Sequence, residues 1–200
     1  MNAVTDDTLL PAWTDSVHAA QATFRCVLTA LSEPGLSQTL PVAIAGPAPL
    51  DPATTALCLA MLDLETPVWC DELAHTRAVG SYLRFHCGSP LTANPEAAAF
   101  AIIVHPTDLQ LDHFAQGTME YPDRSATLWI QVPTLTEGRA RVVSGPGIEH
   151  ERTMRIGGLP HNFDAQWREN TAAFPLGVDI VFCCGNEIVG LPRTTSIGRP

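Results

Sequence analysis

The chain contains no lysine: all 11 of its basic residues are arginines. That absence excludes a Schiff base to pyridoxal phosphate, a lysine nucleophile and the lysine of a phosphate-binding loop. Long apolar runs are missing too. The longest strictly apolar stretch, Ala97 to Val104, falls far short of the ~20 residues that span a bilayer, so no membrane partner is expected. The opening residues, Met1-Asn2-Ala3-Val4-Thr5-Asp6-Asp7, have neither the basic start nor the apolar core of a secretory signal, which makes the cytoplasm the expected compartment. Positive charge is scarce as well. With 21 acidic residues against 11 arginines the formal charge is −10, and no arginine run forms a stripe that follows a phosphate backbone, so nucleic-acid binding is not expected.

Six cysteines are present, Cys26, Cys58, Cys70, Cys87, Cys183 and Cys184, but no two have Cys-x-x-Cys spacing and no His stands at zinc-finger spacing. They read as small packing residues, and a structural zinc site is not expected. A reactive thiol needs a nearby cation or helix N-terminus, and Cys87 beside His86 is the one position that hints at it. No Gly-x-Ser-x-Gly elbow surrounds Ser81, Ser125 or Ser144, and neither a GxGxxG nor a Walker sequence occurs, which argues against a serine hydrolase and a motif-bearing nucleotide site.

What is present is a chain of 200 residues with 46% hydrophobic content, enough for a substantial core in one domain spanning 1–200. Helical spacing of Val17, Ala20, Phe24, Val27, Leu28 and Leu31 predicts a helix over 16–31, stopped by Ser32-Glu33-Pro34-Gly35 and followed by a strand over 36–42. Asp51-Pro52 supplies an N-cap and a first-turn proline for a buried helix over 53–62. A short strand over 66–70 is followed by a helix capped by Asp71 and running through Leu73, Ala74, Val79, Tyr82, Leu83 and Phe85. Strands are expected over 97–104, 126–132 and 140–144, helices over 106–114 and 163–173, and a final hairpin from Phe174 to Thr195 around a Gly185-Asn186 turn. The alternation predicts an α/β fold, a mixed β-sheet with helices on both faces. Only residues 1–10 and 196–200 are expected to be unstructured.

Several groups are chemically suggestive. Arg84 and His86 sit at i and i+2 near a helix end; the guanidinium can fork an anion and the imidazole can relay a proton, or both can serve structural partners. Asp179 and Arg193 place a carboxylate and a guanidinium on otherwise apolar strands, where charges need partners; a buried ion pair bridging the hairpin is the reading preferred here. Gly145-Pro146-Gly147 can offer backbone N–H groups to an anion, although Pro146 removes a donor and a plain turn explains it more simply. Glu149-His150-Glu151, and His105 and His113 flanking Asp108 and Asp112, have the residue types of hydrolytic metal sites but lack their spacing. No metal ligand set and no catalytic residue is assigned.

Seven segments in order resemble one family: Phe24-Arg25 through Ser32-Glu33-Pro34-Gly35, Thr66-Pro67-Val68-Trp69, Leu83-Arg84-Phe85-His86, Tyr121-Pro122 with Ser125-Ala126-Thr127-Leu128, Gly145-Pro146-Gly147-Ile148, Phe174 to Asp179, and Leu191 to Thr195. Together they resemble the H subunit of the carbon-phosphorus lyase complex. The resemblance implies a subunit in organophosphonate catabolism, required with G, I, J and L partners for moving the ribose triphosphate of ATP onto an alkylphosphonate. It further implies a homodimer in isolation and a fold similar to that of pyridoxal-phosphate-dependent transferases without the cofactor. Exposed apolar surface should then be interface. The family brings no catalytic residue to this chain, so Arg84, His86, Asp179 and Arg193 stand as binding or interface candidates. The rival reading is a self-sufficient α/β nucleotide- or phosphate-binding enzyme that uses Arg84, His86 and Arg193.

Overall fold

The computed structural model describes residues 9–41 and 44–198. Its helices are α1 (Ser16–Ser32), α2 (Pro52–Met61), α3 (Arg77–His86) and α4 (Phe163–Ala172). Its strands are β1 (Ser37–Thr39), β2 (Val68–Cys70), β3 (Phe100–Ile103), β4 (Thr127–Gln131), β5 (Ala140–Ser144), β6 (Arg152–Arg155), β7 (Asp179–Cys184), β8 (Glu187–Leu191) and β9 (Ser196–Gly198). Six strands form one mixed sheet in the order β1-β8-β7-β4-β3-β2, in which β2, β3, β4 and β7 pair in parallel and β8 runs antiparallel to both β7 and β1. The other three form a small antiparallel sheet, β6-β5-β9.

The central strands are apolar on both faces, as strands covered on both sides must be. Ala101, Ile103, Leu128, Ile130, Ile180 and Phe182 point to one face, where they bury Phe163 and Trp167 of α4 and Val143, Met154 and Ile197 of the small sheet. Their neighbours Ile102, Trp129, Val181 and Cys183 point to the other, against Val27 and Ala30 of α1, Leu57 and Cys58 of α2, and Val79 and Leu83 of α3. The expected α/β architecture with helices on both faces is therefore present. A buried ion pair joins the small sheet to α4: the Arg141 Nε donates to Asp164 Oδ1 at 2.5 Å, and Arg139 lies 3.3 Å from the other carboxylate oxygen.

Several expectations are corrected. The buried stripe of α1 is Ala19, Thr23, Val27 and Ala30, not the larger residues, and Val17 (75% exposed), Phe24 (43%) and Leu28 (49%) face outward. The reason lies in β8: a Cβ built on Gly190 would stand 2.3 Å from the Ala30 carbonyl oxygen, so helix and strand approach too closely for bulky side chains between them. Helix α3 is capped by the Thr76 hydroxyl, which accepts from the Val79 N–H at 3.1 Å, and not by Asp71. Leu73 thus falls before that helix, exposed, as Phe85 is at its end. The region 106–114 forms two short 3-10 turns, Pro106–Asp108 and Leu111–His113, in place of one helix. Strand β1 is shorter than 36–42, of which residue 42 lies outside the described residues. Strand β6 was not foreseen. Phe174–Val178 is a turn ahead of β7, and the chain after Leu191 leaves the hairpin, so that Ser196–Gly198, expected to be loose, adds an edge to the small sheet. The expectation for 1–10 concerns mostly residues outside the description.

The close contact at Gly190 generates a prediction. Gly190→Ala forces α1 away from the sheet and should lower unfolding stability by about 1–3 kcal/mol; a denaturant midpoint unchanged from the parent chain would contradict the packing described.

Candidate functional site

The amino-terminal edge of the parallel strands is closed by a single guanidinium. Arg193 Nε donates to Asp179 Oδ1 at 3.1 Å and Nη2 to Oδ2 at 2.5 Å, while the backbone N–H of Arg193 reaches Oδ1 at 2.8 Å. Nη1 donates to the carbonyls of Pro122 at 3.1 Å and Pro175 at 3.3 Å, and Nη2 also donates to the Ser125 hydroxyl. A guanidinium has five N–H donors, and here all five are engaged. The pair thus locks the turn before β4, the turn before β7 and the segment after β8 to one another. No donor is left over for a phosphate. Arg193→Ala, and also Arg193→Lys with its three donors, should cost about 3–5 kcal/mol of stability because the partly buried Asp179 loses its partner; urea unfolding measures it, and a loss under 1 kcal/mol would show the cluster to be dispensable.

Arg84 and His86 lie in the last turn of α3. Arg84 is exposed and its side chain makes no ion pair or hydrogen bond among the described residues. His86 is half-buried, its ring 4.5 Å from that of Tyr82, and its Nε2–H donates to the Leu10 carbonyl at 2.9 Å. The two therefore flank one exposed helix end, and neither contacts Arg193. Cys87 is no thiolate candidate: burial pushes its thiol up to about 11, and its Sγ–H donates to the Cys58 carbonyl at 3.5 Å. Gly145-Pro146-Gly147 is a packed turn. A Cβ on Gly147 (φ 80°) would lie 1.8 Å from the Ser32 carbonyl oxygen, so the glycine admits the end of α1 and leaves no room for an anion. Glu149 and His150 are 91% and 86% exposed and 3.9 Å apart.

The opposite edge of the sheet is open. The connection leaving β2 passes to the α1/α2/α3 face, through α3, whereas the connection leaving β3 passes to the α4 face, where Leu109, Leu111 and Phe114 join the core. Neighbouring parallel strands whose connections part in this way leave a crevice at their carboxyl ends, the usual place for a ligand in an open α/β sheet. Here the crevice encloses about 290 Å³, walled by Trp69, Ile103, Leu109 and Phe114 and rimmed by Glu72, His105, Asp108, Gln110 and His113. Trp69 and Phe114 meet edge to face at 5.4 Å.

Asp71 holds the crevice together. Its Oδ1 accepts from the Ala74 N–H at 2.8 Å, and its Oδ2 from the N–H groups of Val104 and His105 at 2.8 and 2.9 Å, so one carboxylate ties the exit of β2 to the exit of β3. Gln166 of α4 fixes the far wall, accepting from the Leu111 N–H and donating to the Leu109 carbonyl. His105 Nε2 lies 2.7 Å from the Thr107 hydroxyl. Among the described residues no three His, Cys, Asp or Glu side chains converge to hold a metal ion. The sequence singled out His105, Asp108 and His113 as chemically suggestive, whereas opposite them Trp69 was noted only in a family-like segment, Asp71 only as a helix cap and Glu72 not at all; the signal that finds those is the strand-end position after a short apolar β run. A larger hollow of about 610 Å³ beside residues 10–15 and α1 borders Ile44 and Ala45, next to residues outside the description.

The family described as bacterial phosphonate metabolism protein (PhnH) matches residues 11–198. The chain belongs to the PhnH family. It is 36% identical over 189 residues, 94% of both chains, to the alpha-D-ribose 1-methylphosphonate 5-triphosphate synthase subunit PhnH of Rhizobium meliloti (strain 1021). It is 32% identical over 178 residues, 88% of this chain and 85% of the other, to HtxG of Stutzerimonas stutzeri, named provisionally as a C-P lyase subunit protein. The PhnH match runs from the segment before α1 to the end of β9, so the Arg193 cluster and the β2–β3 crevice both belong to the family-matched region. No helix of this PhnH-family chain among the described residues is long and apolar enough to cross a membrane.

Proposed function

We propose that the chain is a noncatalytic but required subunit of the synthase that transfers the ribose triphosphate of ATP to an alkylphosphonate in carbon-phosphorus lyase-dependent phosphonate catabolism. The observation that carries this reading is the 36% identity across 94% of both chains to a protein named as a subunit of that synthase. A subunit acts with others, and the partners implied are the G, I, J and L components of the system, with a homodimer as the isolated form. The whole chain, 1–200, works as one domain in the cytoplasm; the six free thiols fit a reducing compartment. We further infer kinship with the pyridoxal-phosphate-dependent transferase fold, supported by a mostly parallel sheet covered on both faces; the absence of lysine means that such a fold would be kept here without its Schiff-base chemistry.

The surface offers a place for a partner. Val17, Phe24 and Leu28 form an outward stripe on α1 at i, i+7 and i+11, one face of a helix, and large exposed apolar side chains in line are the mark of an interface. Phe24→Glu with Leu28→Glu should leave the fold intact, since neither side chain is in the core, while reducing the dimer or partner association at least tenfold; light scattering with circular dichroism separates the two, and an unaltered association state would remove α1 from the interface. The rival reading, an enzyme that grips phosphate with Arg84, His86 and Arg193, finds Arg193 fully committed within the protein and the His86 ring hydrogen-bonded to Leu10.

The decisive experiment is complementation. In a strain lacking its own H-type subunit, this chain should restore growth on methylphosphonate as sole phosphorus source, and a tagged form should co-purify with the G, I and J components. ATP turnover with methylphosphonate by the purified chain alone would overturn the noncatalytic role.

A further inference from the structure

The crevice between the ends of β2 and β3 has the construction of a binding site, and its lining restricts what can enter. We propose that it binds a small planar heteroaromatic ring carrying hydrogen-bond donors, an amino-substituted base in chemical class, and rejects free phosphate.

Three observations converge. The first is position: the crevice lies where the connections of two adjacent parallel strands part to opposite faces, outside their carboxyl ends. Its walls are held by built contacts rather than by loose loops, with Asp71 clamping both strand exits and Gln166 pinning Leu109 and Leu111. The second is shape and surface. The cavity of about 290 Å³ sits at the small end of the ~300–1,000 Å³ typical of ligand sites, and its walls are Ile103, Leu109 and the edge-to-face pair of Trp69 and Phe114. Such walls favour a flat ring over a branched or highly solvated group.

The third is polarity. Glu72 and Asp108 offer carboxylate acceptors at the rim, Gln110 offers an amide, and the rings of His105 and His113 offer nitrogen atoms. No arginine lines the crevice, and the chain has no lysine, so a phosphate would meet carboxylates without a cationic fork to hold it. Amino groups on a ring, by contrast, are donors that carboxylates accept. The inference does not rest on the synthase reading, because binding is measured on the isolated chain and complementation in cells.

The test uses the full chain with its Trp69 indole and the His105 and His113 rings followed by NMR, titrated in parallel with adenine, cytosine, adenosine, ATP and inorganic phosphate. At least one base should produce saturable shifts confined to the crevice, adenosine arm included where the sugar clears the rim, and phosphate should produce none there. The variant Glu72→Gln/Asp108→Asn, which alters exposed side chains only, should weaken that binding about tenfold or more. Leu73→Trp, at the exposed rim, should block it by filling the mouth. The proposal is overturned if no base binds below millimolar concentration, if phosphate or ATP shifts these residues more tightly than the bases do, or if base binding survives both variants.

Discussion

Five N–H groups of one guanidinium set the frame on which the rest of this molecule hangs. Arg193 is fixed by Asp179 from β7 and in turn fixes the turn around Pro122 and Ser125 that leads into β4 and the turn at Pro175 that leads into β7. The two strands whose entries it fastens are neighbours at the middle of the sheet. A charge this enclosed is tolerated only when every donor has an acceptor, and that completeness makes the arrangement all-or-none. The segment after β8 is thereby drawn back across the sheet edge, which delivers Ser196–Gly198 to the small sheet as its third strand.

The two edges of the parallel strands have opposite characters. At the amino ends the charge is neutralised within the protein and nothing is left to bind. At the carboxyl ends a carboxylate, Asp71, is spent on backbone N–H groups, and the side chains around it remain available at a crevice. Both devices are ionisable side chains used as scaffold. The difference is that Asp71 satisfies loops that diverge, whereas Arg193 satisfies turns that converge. Divergence opens a cavity and convergence closes one.

The two helix faces divide labour in a similar way. Small residues on α1 let it approach Gly190 closely, and this leaves the larger side chains of the same helix, Val17, Phe24 and Leu28, facing outward, outside the core of the described residues. Helix α1 thus buries its small stripe and presents its large one outward.

The sequence by itself determined the family and the type of most of the long elements, though not β6, β9 or the two 3-10 turns over 106–113. Apolar runs marked β3, β4 and β7, an Asp-Pro start marked α2, and Gly185-Asn186 marked the hairpin, because these signals arise from local backbone preferences that no distant contact overrides. It also framed Asp179 and Arg193 as a pair, since two opposite charges on apolar strands have few other outcomes. Tertiary structure alone decided which face of α1 goes inward, because the choice depended on a glycine far along the chain, Gly190 against Ala30. It alone decided that α3 starts at Thr76 and not at Asp71, whose carboxylate instead ties the Ala74 N–H to those of Val104 and His105 just past the neighbouring strand. And it alone assembled the crevice, since which strands lie side by side and to which face each connection turns are properties of the whole packed chain rather than of any stretch within it.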